Sequence, residues 1–370
     1  MTMPLPGARL HALDHLRAWA MLAGVAFHAA LAYSPLAHPF WPSADRQNAP
    51  IIDALIWLPH LVRMPIFFLV SGYFTAWLLA RRGVVGLLRQ RVRRILVPLL
   101  VALPLLHLSM LAAIRCAADH VEHRSPVLNM VQAWMAMPDP PPAPPSLGHL
   151  WFLYYLLLFS VLAWVVRTLE LGRLFDRAMA WGPRAVALAL PLVLIPGFAL
   201  TSAPHPAPES LLPQFWAIGV FGPFFALGVA LHGRLDWLKP LASWLLPGVL
   251  VCLALYAVFL WRIQTDPQSG APWDVAMLEA CIAAWGTLVC LIAALRWLEH
   301  PSRVMRWLAE RAYWIYLLHL PALLAIQYPL MDADIHWTAK LLFAIAATTA
   351  TCLVSYELLV RHTPLRRFVG

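Results

Sequence analysis

The chain has 370 residues, of which 61% are hydrophobic and only 12% charged, with a mean hydropathy of +0.70. Soluble domains carry about 25% charged residues and disordered chains are far less apolar, so both classes are excluded. A net charge of +9 in a soluble protein would suggest nucleic acid. Here Lys and Arg gather in short segments between apolar runs, the pattern of membrane topology, and no nucleic-acid partner is expected.

Residues 1–15 contain Pro4, Pro6, His11, Asp14 and His15 without an apolar stretch leading to a small-residue cleavage site, so no cleavable signal peptide is expected. Ten apolar runs follow, at 16–36, 55–80, 95–115, 149–166, 185–201, 214–232, 241–261, 274–295, 312–330 and 338–360. Each is long enough to span or nearly span a bilayer as a helix. With the N-terminus inside, the cytoplasmic segments are 81–94, 167–184, 233–240, 296–311 and 361–370. Together with Arg9 they hold 20 of the 27 Lys and Arg residues. The expected fold is therefore an all-α, polytopic bundle of about ten transmembrane helices with both termini in the cytoplasm. Residues 1–370 read as a single domain without a separate soluble domain.

The outward segments 37–54 and 116–148 are long. The second contains Pro138–Asp139–Pro140–Pro141–Pro142–Ala143–Pro144–Pro145, which cannot be helical and reads as a stiff extended connector. The cysteines Cys116, Cys252, Cys281, Cys290 and Cys352 form no CxxC pair. They read as structural thiols, without a metal site or disulfide framework.

Ionisable residues inside apolar spans are informative, because each costs about 2.5–3.5 kcal/mol at a helix centre unless it faces a partner or cavity. Arg17 and His28 are eleven residues apart, about 1100° of helix rotation, which puts them on one face ~16 Å apart along the axis. Asp14 and Gly24 lie near the same stripe. An interfacial arginine and a hydrogen-bonded core histidine would also account for this pair. His60, Arg63, Phe67 and Ser71 follow at steps of three, four and four and share a face in the second span. Gly72 beside them suits either a packing seam or a ligand. Arg91 and Arg94 form an i,i+3 pair whose guanidinium forks suit a phosphorylated ligand, although topology alone places arginines there. His149 and Trp151 open the fourth span, Tyr316 and His319 lie one turn apart in the ninth, and Glu357 lies near the end of the tenth. These are satisfied core polar groups or parts of a site.

Taken in order, the motifs resemble the acyltransferase 3 family of integral membrane acyltransferases. They are Asp14-x-x-Arg17 with His28, Phe67–Phe68-x-x-Ser71–Gly72–Tyr73, Arg91-x-x-Arg94, His149–Leu150–Trp151–Phe152–Leu153 and Tyr316–Leu317–Leu318–His319. The resemblance covers nearly the whole chain and is nearest to the branch that succinylates periplasmic glucans. It implies a stand-alone enzyme of the bacterial inner membrane that moves an acyl group from cytoplasmic acyl-CoA to a carbohydrate hydroxyl on the outer side. Acyl-CoA, as succinyl-CoA or acetyl-CoA, would be a co-substrate, with no permanently bound cofactor and no metal. The partners implied are acyl-CoA, a carbohydrate acceptor and the lipid bilayer, with the chain acting alone or as a homodimer. His28 and Arg17 would be catalytic, and Arg17, Arg91, Arg94, Ser71 and Gly72 would hold acyl-CoA. Asp14, His60, Arg63, His149, Trp151, Tyr316, His319 and Glu357 would support the reaction or face the acceptor. His28 would act as a general base or as a transient acyl carrier. A transporter or flippase of a polar solute also uses ionisable residues within spans, but needs no CoA-binding arginines. A membrane scaffold would leave Arg63 and His28 unexplained.

Overall fold

The computed structural model describes residues 11–142, 145–170, 172–265 and 273–369, and every regular element among them is helical. The readings made on residues 1–10, Arg9 included, and on Ala143 and Pro144 lie outside the described residues. The principal helices are α1 (His11–Ala30), α2 (Pro50–Arg91), α3 (Val97–His120), α4 (Pro126–Met135), α5 (Trp151–Thr168), α6 (Gly172–Ala180) and α7 (Pro183–Phe198). They continue with α8 (Phe215–Leu231), α9 (Leu245–Thr265), α10 (Trp273–Trp297), α11 (Arg303–Met331), α12 (Trp337–Ser355) and the short α13 (Arg366–Val369). Proline sits in the first turn of α2, α3, α4 and α7, where its missing N–H would have been unpaired in any case.

All ten expected spans fall on helices, but among the described residues seven continuous segments are long and apolar enough to cross a membrane, or eight with a bent pair counted as one span. Two features account for the difference. First, α2, the π-helical turn Val92–Leu96 and α3 run on as one helical segment of 71 residues. The expected loop 81–94 is therefore largely helical. Its arginines mark where the sequence stops being apolar, not where the backbone ladder stops. At 1.5 Å per residue a straight α2 would be about 63 Å long, twice the ~30 Å hydrocarbon layer. The break is made at Gly83, whose φ of 63° and ψ of −172° suit a residue without Cβ. Second, α7 and α8 have only 16 and 17 residues, and α6 meets α7 at a bend of 118°.

The most apolar windows of α1 and α10 are each 67% buried, against 22% for Leu235–Thr265 and 28% for Trp337–Val360. Thus α1 and α10 form the centre, while α9 and α12 lie outside. Leu246 and Leu250 on α9, Leu342 and Phe343 on α12, and Leu100, Leu105 and Leu108 on α3 are exposed, as lipid-facing side chains should be. The tightest crossing joins α2 to α8. A Cβ on Gly72 would come within 2.0 Å of the Phe225 carbonyl, and one on Gly228 within 1.9 Å of the Leu69 carbonyl. The missing side chain of Gly72 is therefore used by helix packing.

Candidate active site

His28 sits on the last turn of α1, and its Nδ1 lies 2.9 Å from Nε2 of His319 on α11. The hydrogen-bond network assigns the tautomers. His319 Nδ1 lies 2.8 Å from the Tyr316 carbonyl and 3.1 Å from that of Ile315. Carbonyls only accept, so Nδ1 of His319 carries the proton and Nε2 accepts. In the neutral pair His28 Nδ1 then donates, and His28 Nε2 keeps its lone pair with no partner among the described residues. Trp41, from the segment between α1 and α2, stacks parallel to His28 at 5.8 Å and 5°. Its indole Nε1 is buried without a partner among the described residues.

A reciprocal staple holds the mouth of α5 to α11. His149 Nε2 donates to the Leu317 carbonyl at 3.0 Å, and the Tyr316 hydroxyl donates to the His149 carbonyl at 2.6 Å. The His149 and His319 rings meet edge to face at 5.6 Å. Trp151, two residues on, packs against Phe68, Phe152, Tyr155 and Phe221. The structure thus brings His28, His149, Tyr316 and His319 together from three distant parts of the chain.

On α2, Arg63 lies against α1 where the chain narrows. A Cβ on Gly24 would stand 3.0 Å from Arg63 Nη1, and the guanidinium carbon lies 4.9 Å from the centre of the Phe27 ring. Arg63 is 9% exposed, and its Nε and Nη1 are buried without a partner among the described residues. A buried donor left unpaired costs about 1–3 kcal/mol, and more when charged. One turn earlier, His60 Nε2 donates to the His205 carbonyl at 2.9 Å, leaving its Nδ1 buried without a partner among the described residues.

His205 and Glu279 are site residues that the sequence reading missed. Glu279 on α10 is fully buried, and its Oε1 accepts from both the backbone N–H (3.1 Å) and Nδ1 (3.2 Å) of His205. Its Oε2 has no partner among the described residues. Burial, with Arg63 nearby, pushes the His205 imidazole down to about 3, so the ring is neutral. Glu279 gave the same signal as Arg63, a charge inside an apolar run. His205 lies in the proline-rich segment between α7 and α8, where no periodicity marks a buried side.

The remaining residues stand at the arginine-rich end. Arg17 lies 3.9 Å from Asp14, with its guanidinium over the Phe74 ring at 6.0 Å. Arg91 is held inward: Nε donates to Ser160 Oγ at 2.9 Å, Nη2 to Thr75 Oγ1 at 2.5 Å and Nη1 to Gln90 Oε1 at 3.2 Å. Arg94, on the π-helical turn, is exposed. Glu357 pairs with Arg311 at 2.5 Å and Arg361 at 2.7 Å, so it belongs to this end and not to the histidine cluster. The Ser71 carbonyl accepts from Thr75 Oγ1 at 2.7 Å, which joins Ser71 to the Arg91 clamp. Among the described residues no group of three or more His, Cys, Asp or Glu side chains is placed to hold a metal ion.

A sequence profile of the acyltransferase 3 family, described as an acyltransferase domain, matches residues 10–359. The chain belongs to the acyltransferase 3 family. It is an acyltransferase and, with its long apolar helices, a multi-pass membrane protein. It is similar to Glucans biosynthesis protein C of Salmonella typhimurium, at 26% identity over 393 residues covering 99% of this chain and 95% of the relative. Glucans biosynthesis protein C of Escherichia coli is 26% identical over 385 residues, with the same coverage of both chains. No solved structure matches the chain. Acyl transfer needs a lone pair to attack or deprotonate and donors to receive developing negative charge.

Proposed function

We propose that this acyltransferase moves an acyl group, succinyl by preference, from acyl-CoA on the cytoplasmic side of a bacterial inner membrane to a hydroxyl of a periplasmic or exported glucan. The observation that carries the proposal is the cluster in which His28 Nε2 keeps a lone pair while Arg63, over the neighbouring Phe27 ring, keeps Nε and Nη1 buried without partners among the described residues. The names of the relatives support a glucan as acceptor. Ten spans with both termini in the cytoplasm are part of the same reading. The break at Gly83 and the helices α7 and α8 supply the crossings beyond seven, and the basic segments then fall on the inner side.

In this reading Arg17, Arg91 and Arg94, near Ser71 and Gly72, meet the phosphates of CoA. The acyl arm extends between α1 and α2 toward His28, and Arg63 pairs with the free carboxylate of a succinyl group. His319 fixes the His28 tautomer. His149, Tyr316 and Trp151 hold α5 and α11 around it, and Asp14 orients Arg17. The lone pair on His28 Nε2 either removes the proton of the attacking hydroxyl or takes the acyl group itself.

The test is transfer of label from radiolabelled succinyl-CoA or acetyl-CoA to short glucans by the purified protein in detergent. Labelled glucan is the expected result. No transfer from either donor would overturn the proposal, and transfer from acetyl-CoA alone would overturn the succinyl preference.

A further inference from the structure

We infer that His60 is a second catalytic imidazole, whose Nδ1 takes the proton of the acceptor hydroxyl while His28 Nε2 carries the acyl group. The inference rests on the acyl-transfer reading above and selects the acyl-carrier route.

Three observations carry it. The tautomer of His60 is fixed, since Nε2 lies 2.9 Å from a carbonyl that can only accept, and Nδ1 is left with a buried lone pair. The ring is held in place: it stacks on Phe27 at 4.9 Å and 20°, meets Trp57 edge-on at 5.3 Å, and lies 4.6 Å from the His205 ring. The carbonyl that fixes it belongs to His205, itself tied to Glu279 on α10 by two hydrogen bonds. An apolar side chain would fill this place without the cost of an unpaired buried acceptor. The position also suits transfer. Phe27 precedes His28 in the chain, its ring lies 5.3 Å from the His28 ring, and Arg63 stands over the same Phe27 ring.

Chemistry supplies the need. Once Nε2 of His28 bears an acyl group it has no lone pair, so the hydroxyl requires another base. In the first step His28 Nε2 attacks the thioester carbon, the C–N bond forms, the C–S bond breaks and CoA leaves as thiolate. The Nδ1 proton of His28 passes to His319 Nε2, leaving a neutral acyl-imidazole. In the second step the hydroxyl oxygen attacks the acyl carbon, the C–O bond forms and the C–N bond breaks. The electron pair returns to His28 Nε2, the proton on His319 returns to His28 Nδ1, and the hydroxyl proton goes to His60 Nδ1 and then to water. Glu279 and His205 are positioning residues in this scheme.

The experiment separates the two half-reactions in the purified full-length protein, using labelled succinyl-CoA and acetyl-CoA, with and without short glucans. The parent should release about one CoA thiol per protein without glucan and hold the label until glucan is added. His60→Gln keeps a donor for the His205 carbonyl but has no basic nitrogen. It should keep the thiol burst and the bound label while transfer falls by about 10²–10⁴-fold. The retained burst serves as its folding control, and His60→Asn is read the same way if the Gln variant aggregates. Glu279→Leu should lower kcat for transfer about tenfold by misplacing His60, with the burst unchanged and the parent rate regained in Glu279→Gln. Transfer by His60→Gln near the parent rate, or loss of its burst along with transfer, would overturn the inference. So would a parent that transfers acyl groups without ever holding label, although acyl transfer itself would stand. A parent that neither releases thiol nor labels glucan would overturn the acyl-transfer reading as well.

Discussion

The arginine-rich end and the histidine cluster handle buried charge in opposite ways. At the arginine-rich end, Arg91 spends three donors on Thr75, Ser160 and Gln90, and Arg311 meets Glu357. In the histidine cluster, Arg63, Trp41, His60 and Glu279 all keep buried polar atoms without partners among the described residues. A fold gains nothing from orphaned donors and acceptors, each costing about 1–3 kcal/mol. Paired charges describe architecture, and in the proposed reading the unpaired groups of the histidine cluster mark where a ligand is to come. Catalytic geometry commonly carries such a cost in stability.

Substitution of single arginines should break this comparison most sharply. Arg63→Met removes a buried charge whose Nε and Nη1 have no hydrogen-bond partner among the described residues, so thermal stability in detergent should hold or rise. Transfer from succinyl-CoA should nevertheless fall about 10–100-fold, the worth of a charge-assisted hydrogen bond of about 1.5–3 kcal/mol. Scanning fluorimetry and label transfer read the two quantities separately, and a drop in both would place Arg63 among the architectural charges. Arg91→Ala should show the reverse balance. It frees Ser160 and Thr75 and should lower the unfolding temperature. Combined with Arg94→Ala it should weaken CoA binding by about tenfold, the worth of roughly 1.4 kcal/mol. Unchanged CoA affinity in the double variant would leave both arginines with architectural and topological roles alone.

The sequence made part of this contrast readable. Arg63 stood out as a charge within an apolar run, and the motif residues His28, His149, Tyr316 and His319 do converge. Their tautomers, and hence which nitrogen is free, depend on contacts such as His28 to His319 across 291 residues, which no local pattern encodes. Glu279 carried the same local signal as Arg63 but had no neighbouring motif to draw attention to it. His205 carried none, since its burial comes from the proline-rich segment dipping between helices. The segment 81–94 failed as an expected loop because charge density reports the membrane boundary, whereas only the backbone at Gly83 reports the break. Gly72 read as a packing seam before a ligand position, and the carbonyl of Phe225 fills the space beside it.

The smallest expected effect lies outside the membrane. Asp332, just after α11, accepts from the backbone N–H groups of Glu122 and His123 and pairs with the His123 ring at 2.9 Å. Burial acts to raise its pKa, but these hydrogen bonds prevail and hold the carboxyl below its ordinary range. A carboxyl lowered on folding contributes stability above its unfolded pKa, about 3.9. That contribution is lost as pH falls through the lower folded value. The parent should therefore lose more unfolding temperature than Asp332→Asn between about pH 5 and pH 3. Parallel curves for the two proteins would remove this contribution.

The central claim is that the lone pair on His28 Nε2 performs the transfer, and His28→Gln tests it most directly. Glutamine keeps bulk and hydrogen bonding near His319 but offers no basic nitrogen. Measured as label moved from acyl-CoA to glucan by equal amounts of folded protein, the variant should be slower by about 10²–10⁴-fold with CoA binding retained. Transfer at near the parent rate would make His28 a structural residue and contradict the account.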